Sequence, residues 1–312
     1  MDVKFLEYLN NPEKVSFPWS MIDKITPRPS EFVKSNLSQL DIGGMDVICT
    51  DKKTFIAPFV NAEVPQYLVI EDHFPNGRMP LEHSGVLFTD RETVEKVERM
   101  KVTTCLNPLH TSLAIFGCLL GYTSIAQETQ DERLKKLVER IGDEGMRLVV
   151  DSGILSPKSF LEEVIEERLP NPYIPDSPQR IATDTSQKIA IRFGETIKAY
   201  STRSDLDVKM LQYIPLVLAG WCRYLMGIDD DGNKFDLSSD PLLGELTQHI
   251  GGITLGNQDS YKDNLRPILS NAQLFGVNLY EIGLGSTVET YFKEFIAGTH
   301  AVQNTLKKHL VS

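Results

Sequence analysis

The stretch MKVTTCLNPLHTSLAIFGCLLGY, residues 100–122, decides how the rest of the chain is read. Asn107 followed by Pro108 is a helix start, with asparagine as N-cap and proline at the first helical position, where its missing N–H costs nothing. The residues after it are almost all apolar, so the helix belongs inside the protein. With Asn107 as cap, His110 falls three residues on, in the first turn, and the two point to similar sides of the helix start. Lys101 lies just upstream, on the connecting segment.

Helical patterns continue downstream. Leu134, Leu137, Val138 and Ile141 in DERLKKLVERIGDEGMRLVV recur at the 3.6-residue spacing of one buried face. SPKSFLEEVIEERLP opens with Ser156 before Pro157 and stops before Pro170. Further helices are predicted in 178–200, 205–227, 240–250 and 260–275, with a last long one, continuous or broken, in 287–310. Upstream, Asp90 is placed to cap RETVEKVERM. Before residue 90 turn residues are dense and apolar runs short. YLVIED (67–72) and GVLFTD (85–90) read as strands, VICT (47–50) and TFIAPFV (54–60) as weaker ones, and Ser30–Leu40 as a helix with Ser30 as N-cap. The expected class is therefore mainly α with a small β-containing N-terminal segment. Residues 1–90 form a mixed α/β segment packing on the helical part, which is residues 91–312.

The 312 residues are 41% hydrophobic, 24% charged and 8% aromatic, which excludes a disordered or collagen-like chain. Lys plus Arg is 32 against 43 Asp plus Glu, a formal charge of −11, so there is no electrostatic footprint for nucleic acid and no polybasic segment for anionic lipid. Cys49, Cys105, Cys118 and Cys222 are far apart with no CxxC. A disulfide scaffold or zinc site is not expected, and a reducing cytoplasm is. No apolar run reaches the roughly 18 residues that span a bilayer, and MDVKFLEYLNNPEK lacks the apolar core of a signal peptide.

Three segments carry titratable or polar groups in suggestive patterns. Lys101, Asn107 and His110 combine an amine, an amide and an imidazole. A desolvated lysine is a general base, and an amide at a helix start steadies a developing alkoxide; the plainer reading is a solvated lysine, a cap and a core histidine. Arg180, Asp184, Lys188 and Arg192 are spaced by four, so one helix would stack them as an exposed salt-bridge stripe or as a cationic clamp for a hydroxylated or carboxylated ligand. Asp23, in FPWSMIDKITPRPS (17–30), either accepts hydrogen bonds from sugar hydroxyls or caps a turn. GIDDDGNKF (227–235) starts like a calcium loop but lacks the closing glutamate, so it reads as an acidic turn. No GxGxxG or GxxxxGK[ST] is present. Gly283-Leu284-Gly285 has no third glycine, since position 288 is Val288, and reads as a turn between helices.

Taken in order, these segments resemble the C-terminal half of the polyol-specific long-chain dehydrogenases, the mannitol dehydrogenase family, which includes the hexuronate reductases. FPWSMIDKITP resembles the family's FP-S-M-x-D-R-I-T-P stretch. YLVIEDHFPNGRMPLEHSGVLFTD resembles VIED-x-F-x-x-GRP-x-x-E-x-x-G-V-x-F-T-D, MKVTTCLNPLH resembles the signature K-x-x-x-x-N-x-x-H, and AGWCRYLMGIDDDG (219–232) agrees as well. The resemblance implies that Lys101 is the general acid/base, that Asn107 stabilises the oxygen at the reacting carbon, and that His110 helps hold the substrate. It implies substrate contacts from Asp23, Arg180 and Lys188. It also implies a metal-independent hydride transfer between NAD or NADP and a polyol or sugar acid, with the cofactor bound mainly by an N-terminal Rossmann domain that this chain lacks. TTCLNPLH places the chain nearer the hexuronate (fructuronate and tagaturonate) reductases. Two departures stand out: Lys101 lies six residues before Asn107 where the family has five, and the family's upstream asparagine has no counterpart. The other expectation kept is a non-catalytic sugar-acid-binding or interaction module derived from the same fold.

Overall fold

The computed structural model describes residues 2–27, 29–51, 55–174 and 176–311. About 51% of the chain is helical, so the protein is mainly α. It divides into two compact units, Met1–Met100 with Val150–Ser156, and Lys101–Val149 with Pro157–Ser312.

The first unit holds α1 (Val3–Leu9), β1 (Ser20–Asp23), α2 (Glu31–Gln39), β2 (Ile48–Cys49), β3 (Phe55–Ile56), β4 (Tyr67–Glu71), β5 (Leu87–Thr89) and α3 (Arg91–Met100). YLVIED and GVLFTD give β4 and β5, which pair in parallel from Val69 opposite Leu87. β1 lies antiparallel on the other side of β4, with Asp23 opposite Tyr67. The SMID strand carried no clear signal of its own, because the inward set is Met21 and Asp23 while Ile22 faces out. VICT and TFIAPFV shrink to the two-residue ladder β2–β3; Thr54 lies outside the described residues. Asp90 caps α3 as its position predicts, its Oδ1 accepting from the Thr93 N–H at 2.9 Å. Ser30 occupies the N-cap of α2 without a side-chain cap bond; its own N–H donates to Asn61 Oδ1 instead.

The second unit holds α4 (Asn107–Leu119), α5 (Ile125–Glu128), α6 (Glu132–Met146), α7 (Pro157–Glu163), α8 (Pro178–Ile181), α9 (Thr185–Ile189), α10 (Glu195–Thr202), α11 (Tyr213–Tyr224), α12 (Leu243–Ile250), α13 (Arg266–Leu269), α14 (Ala272–Phe275), α15 (Gly285–Phe295) and α16 (Ala301–Leu310). Two of these make the core. All but Asn107 and His110 of the 13 residues of α4 are buried, as are all but Tyr213 of the 12 of α11. They approach closely because α11 presents Gly220 to the Phe116 ring, and Phe116 in turn tilts against Phe295 of α15 at 5.7 Å. α6 buries Leu134, Leu137, Val138 and Ile141, the face its spacing predicts. It also contributes Glu144, whose carboxylate accepts from the N–H groups of Gln212, Tyr213 and Ile214 at 2.6–2.9 Å. Those are orphan donors at the start of α11, whose N-cap Gln212 makes no side-chain cap bond.

The predicted 178–200 helix is divided at Asp184, which takes a left-handed conformation (φ 53°). Arg180 therefore sits on α8, while Lys188 and Arg192 follow on α9 and the π-helical turn Ala190–Gly194. The single four-residue ladder does not form. The 287–310 helix breaks before His300 (φ 60°), and α16 restarts on Asp230, whose carboxylate accepts from the Val302 and Gln303 N–H groups. Asp229 accepts from its own loop, at Asp231 and Asn233. The GIDDDG turn thus uses its acids as internal caps. Arg91–Leu119 is long and apolar enough to cross a membrane, but 78% of its apolar window is buried, as in a core helix.

Gly194 faces the Phe275 carbonyl so closely that a Cβ would overlap the oxygen. Gly194→Ala is expected to destabilise the protein by about 1–3 kcal/mol, with backbone on the other side unable to swing away; a chemical denaturation curve indistinguishable from that of the unaltered protein would refute this packing.

Candidate active site

Lys101 opens a π-helical turn, Lys101–Cys105, in which the Leu106 N–H donates to the Lys101 carbonyl at 3.2 Å, five residues back. Such a turn holds one residue more than an α turn, which takes up the six-residue interval between Lys101 and Asn107. The turn is held by packing: Thr104 sits against Gly145 of α6, and the buried Cys105 Sγ lies 3.8 Å from the Pro157 carbonyl. Burial pushes the Cys105 thiol up to about 12, so it stays protonated. Because the chain reaches α4 through this turn, Leu106 takes the N-cap position and Asn107 the first helical position. Asn107 was expected one place earlier, as the cap; the π turn shifts it into the helix. Lys101 and Asn107 are both part-buried.

His110 lies in the first turn of α4, its side chain 14% exposed, with Nε2 3.5 Å from Asp176 Oδ2. Asp176 is buried and clamps Arg180 with both oxygens: Arg180 Nε donates to Oδ1 at 2.6 Å and Nη2 to Oδ2. This is the fork-to-fork geometry that suits guanidinium and carboxylate. Burial pulls the His110 imidazole down to about 4; Asp176 opposes this, and Arg180, Arg192 and Arg168 reinforce it. The imidazole is therefore neutral near pH 7 and has one acceptor and one donor nitrogen to offer a ligand.

Arg192 donates through Nη1 to Thr111 Oγ1, and Thr111 donates to the Asn107 carbonyl at 2.8 Å. The side chain is thereby tied to the same helix turn as Asn107 and His110. Lys188 donates through Nζ to the Thr183 carbonyl at 2.6 Å. Burial lowers the Lys188 ammonium from its ordinary range, with Arg192 adding to the effect. Burial also brings Arg192 down to about 10.

Glu128 is fully buried with neither carboxyl oxygen bonded to another described residue, and it packs directly on Gly117 of α4. Burial, and the charge of Asp176 after it, raise its carboxyl to about 10, so it is neutral at pH 7.

The second unit thus brings His110, Arg180 and Lys188 into one electrostatic cluster, and places Lys101 and Asn107 at the entry to the same helix. Asp23 belongs to the first unit, where it is buried at the end of β1. Asp176 and Glu128 were not singled out in the sequence, and Arg192 was read only as part of a ladder. The Asp176–Arg180 pair was legible as an i,i+4 spacing at a Ser-Pro helix start; Glu128 gave no signal. Among the described residues no three His, Cys, Asp or Glu side chains gather as metal ligands.

Residues 93–295 match the family model described as the mannitol dehydrogenase C-terminal domain. The chain is 63% identical over 97% of its length to the D-mannonate oxidoreductase of Thermotoga maritima, of which it covers 56%. It is 32% identical over 76% of its length to the mannitol 2-dehydrogenase of Emericella nidulans, of which it covers 46%. It spans about half the length of the curated relatives it matches. The fold matches that of Pseudomonas fluorescens mannitol 2-dehydrogenase, solved with NAD and D-mannitol, with a TM-score of 0.73 at 23% identity, covering 100% of this chain and 57% of that one. A D-sorbitol dehydrogenase solved substrate-free gives 0.75 at 21%, covering 99% and 57%.

Two outcomes are expected from the titration of this cluster. Nitrogen NMR should find the His110 ring neutral down to about pH 4. Asp176→Asn should lower that value further, because the charge of the aspartate favours the imidazolium; an imidazolium already formed at pH 6 would contradict the burial. Glu128, with a folded value of about 10 against 4.5 unfolded, binds more protons folded than unfolded across that window, so it weakens the fold as pH rises through it. Glu128→Gln should therefore gain on the order of 1–3 kcal/mol at pH 7 and nothing below about pH 4.5. Thermal melts at the two pH values read the difference, and an equal effect at both would refute a neutral Glu128.

Proposed function

Because the chain belongs to the mannitol dehydrogenase family, we propose that it is the substrate-binding and catalytic part of an NAD(P)-dependent oxidoreductase that interconverts a polyol or aldonate and its ketose or keto-uronate. The observation that carries this reading is the 63% identity with a D-mannonate oxidoreductase across nearly the whole chain. That relative also favours a sugar acid over a neutral polyol as the substrate.

The cofactor is held elsewhere than on these residues. The parallel strand pair β4 and β5 is joined through a short 3₁₀ turn, Leu81–Ser84, rather than by a glycine-rich turn into a helix N-terminus. A dinucleotide pyrophosphate has no cradle there. The nucleotide is therefore assigned to a Rossmann domain acting with this chain. A nicotinamide, when bound, takes up or gives hydride at the substrate carbon.

The residues of this chain handle the substrate oxygen and its proton. Lys101 Nζ takes the hydroxyl proton when the alcohol is oxidised and returns it to the carbonyl oxygen in reduction. The Asn107 side-chain amide donates to the same oxygen, and its place at the first position of α4 adds the positive end of the helix dipole. A neutral His110 hydrogen-bonds a substrate hydroxyl without adding a charge to be desolvated. Asp23 accepts from hydroxyls, and Arg180 and Lys188 donate to substrate oxygens. No metal is needed in this scheme, since the proton moves to an amine.

The test begins with an NADH titration of the 312-residue chain, followed by nicotinamide fluorescence; saturable binding would overturn the assignment of the cofactor to another domain. Supplied with a Rossmann partner of the family, the chain is expected to oxidise D-mannonate with NAD or NADP. Lys101→Ala should then lower turnover by about 10²–10⁴-fold with substrate binding retained, as loss of a general acid/base does. Substrate binding without turnover in the supplemented wild type would support instead a sugar-acid-binding module.

A further inference from the structure

In a chain of net charge −11, cations collect around one buried turn. Arg168, Arg180 and Arg192 all act on the charge of His110, and Lys188 lies within electrostatic reach of both Arg180 and Arg192. Their surroundings differ. Arg180 is neutralised by the two-pronged bond to Asp176, which occupies both oxygens of that carboxylate. Lys188 and Arg192 are different: their polar contacts are a backbone carbonyl and a hydroxyl, and neither has a carboxylate within ion-pair distance among the described residues. The nearby Asp240 is engaged by the Ser186 N–H and hydroxyl and by the Leu242 N–H. Two cations four residues apart on one helical run, both part-buried, therefore have no ion-pair partner among the described residues: Asp184 and Asp240 act on Lys188 only at a distance, and burial alone perturbs Arg192. Such an arrangement is costly unless an anion completes it.

The position is as informative as the charge. Arg192 reaches Thr111, the residue after His110, and Thr111 passes the bond on to the carbonyl of Asn107. That chain of hydrogen bonds aims the guanidinium at the first turn of α4 and leaves the rest of its fork of N–H donors for a planar, two-oxygen acceptor. A hydroxyl group matches that fork poorly, whereas a carboxylate matches it.

We propose that Lys188 and Arg192 form the carboxylate-binding end of the substrate site, and that Arg192 is the residue that makes the site prefer a sugar acid to the corresponding neutral polyol. The assignment rests on the substrate reading above and deepens it. It also separates the roles of the two arginines: Arg180, its charge matched by Asp176, donates to substrate hydroxyls, and Arg192 meets the ligand's carboxylate.

Calorimetric titration of the chain with D-mannonate and with D-mannitol tests this. The wild type is expected to prefer mannonate. In Arg192→Gln, which keeps a donor for Thr111, the ratio of mannonate to mannitol affinity should fall at least tenfold. Arg192→Lys should restore part of the ratio, and circular dichroism should show both variants folded. An unchanged ratio in Arg192→Gln, or equal loss of both ligands, would overturn the role of Arg192 while leaving the substrate reading in place. Binding of neither ligand by the wild type would overturn the substrate reading itself, and this assignment with it.

Discussion

Helix α4 is buried around nearly its whole circumference, and the second unit is organised by that constraint. A helix with no solvent face must satisfy every polar group internally. Thr111 and Ser112 do so by bonding the carbonyls of Asn107 and Pro108 one turn back. Its partners must also come close, which is why glycine meets it at Gly220 of α11 and why Gly117 of its own sequence leaves room for the Glu128 carboxyl. The only part of α4 not buried is its start, where Asn107 and His110 lie. Burial of the rest of the helix therefore fixes where these two side chains stand.

The same burial sets the electrostatics. Near α4 the medium is poor in water, so ionisable groups either find a partner or change state. His110 and Glu128 take the second course and are neutral at pH 7. Asp176 and Arg180 take the first, as a bidentate pair. Glu144 stays useful elsewhere by replacing the missing side-chain cap bond of α11 with three backbone hydrogen bonds. Arg223, fully buried, does the reverse for carbonyls, donating to those of Ile228, Asp229 and Phe295. These buried charges hold irregular backbone in place, at helix starts and in the acidic turn where the helical ladder cannot.

Three π-helical turns, Lys101–Cys105, Val164–Arg168 and Ala190–Gly194, lie in the runs that carry Lys101, Arg168 and Arg192. Each adds a residue to a helical turn and so re-aims the side chains beyond it relative to those before. In the first, this accommodates the interval between Lys101 and Asn107. In the third, it follows a left-handed Asp184 that had already separated Arg180 from Lys188. The arrangement of cations is thus a product of local departures from the α-helix rather than of one regular face.

The sequence by itself determined the mainly α class, the helix start at Asn107-Pro108, the buried face of α6, the cap at Asp90 and the strands at 67–72 and 85–90. All of these are local: a period, a cap or a proline acts within a few residues, and its physics is present in the chain order. It also determined the family, through motifs spread along the chain. What only the tertiary structure decided were the groups whose meaning depends on a distant neighbour. β1 is a strand because β4 lies beside it. Asp176 matters because His110, 66 residues earlier in the chain, comes within 3.5 Å of it. Glu128 is neutral because folding removes its water, and Arg192 has no ion-pair partner among the described residues because folding sets its guanidinium against the Thr111 hydroxyl. Spacing along the chain reports none of this, since desolvation and pairing are set by what packs around a group and not by what precedes it.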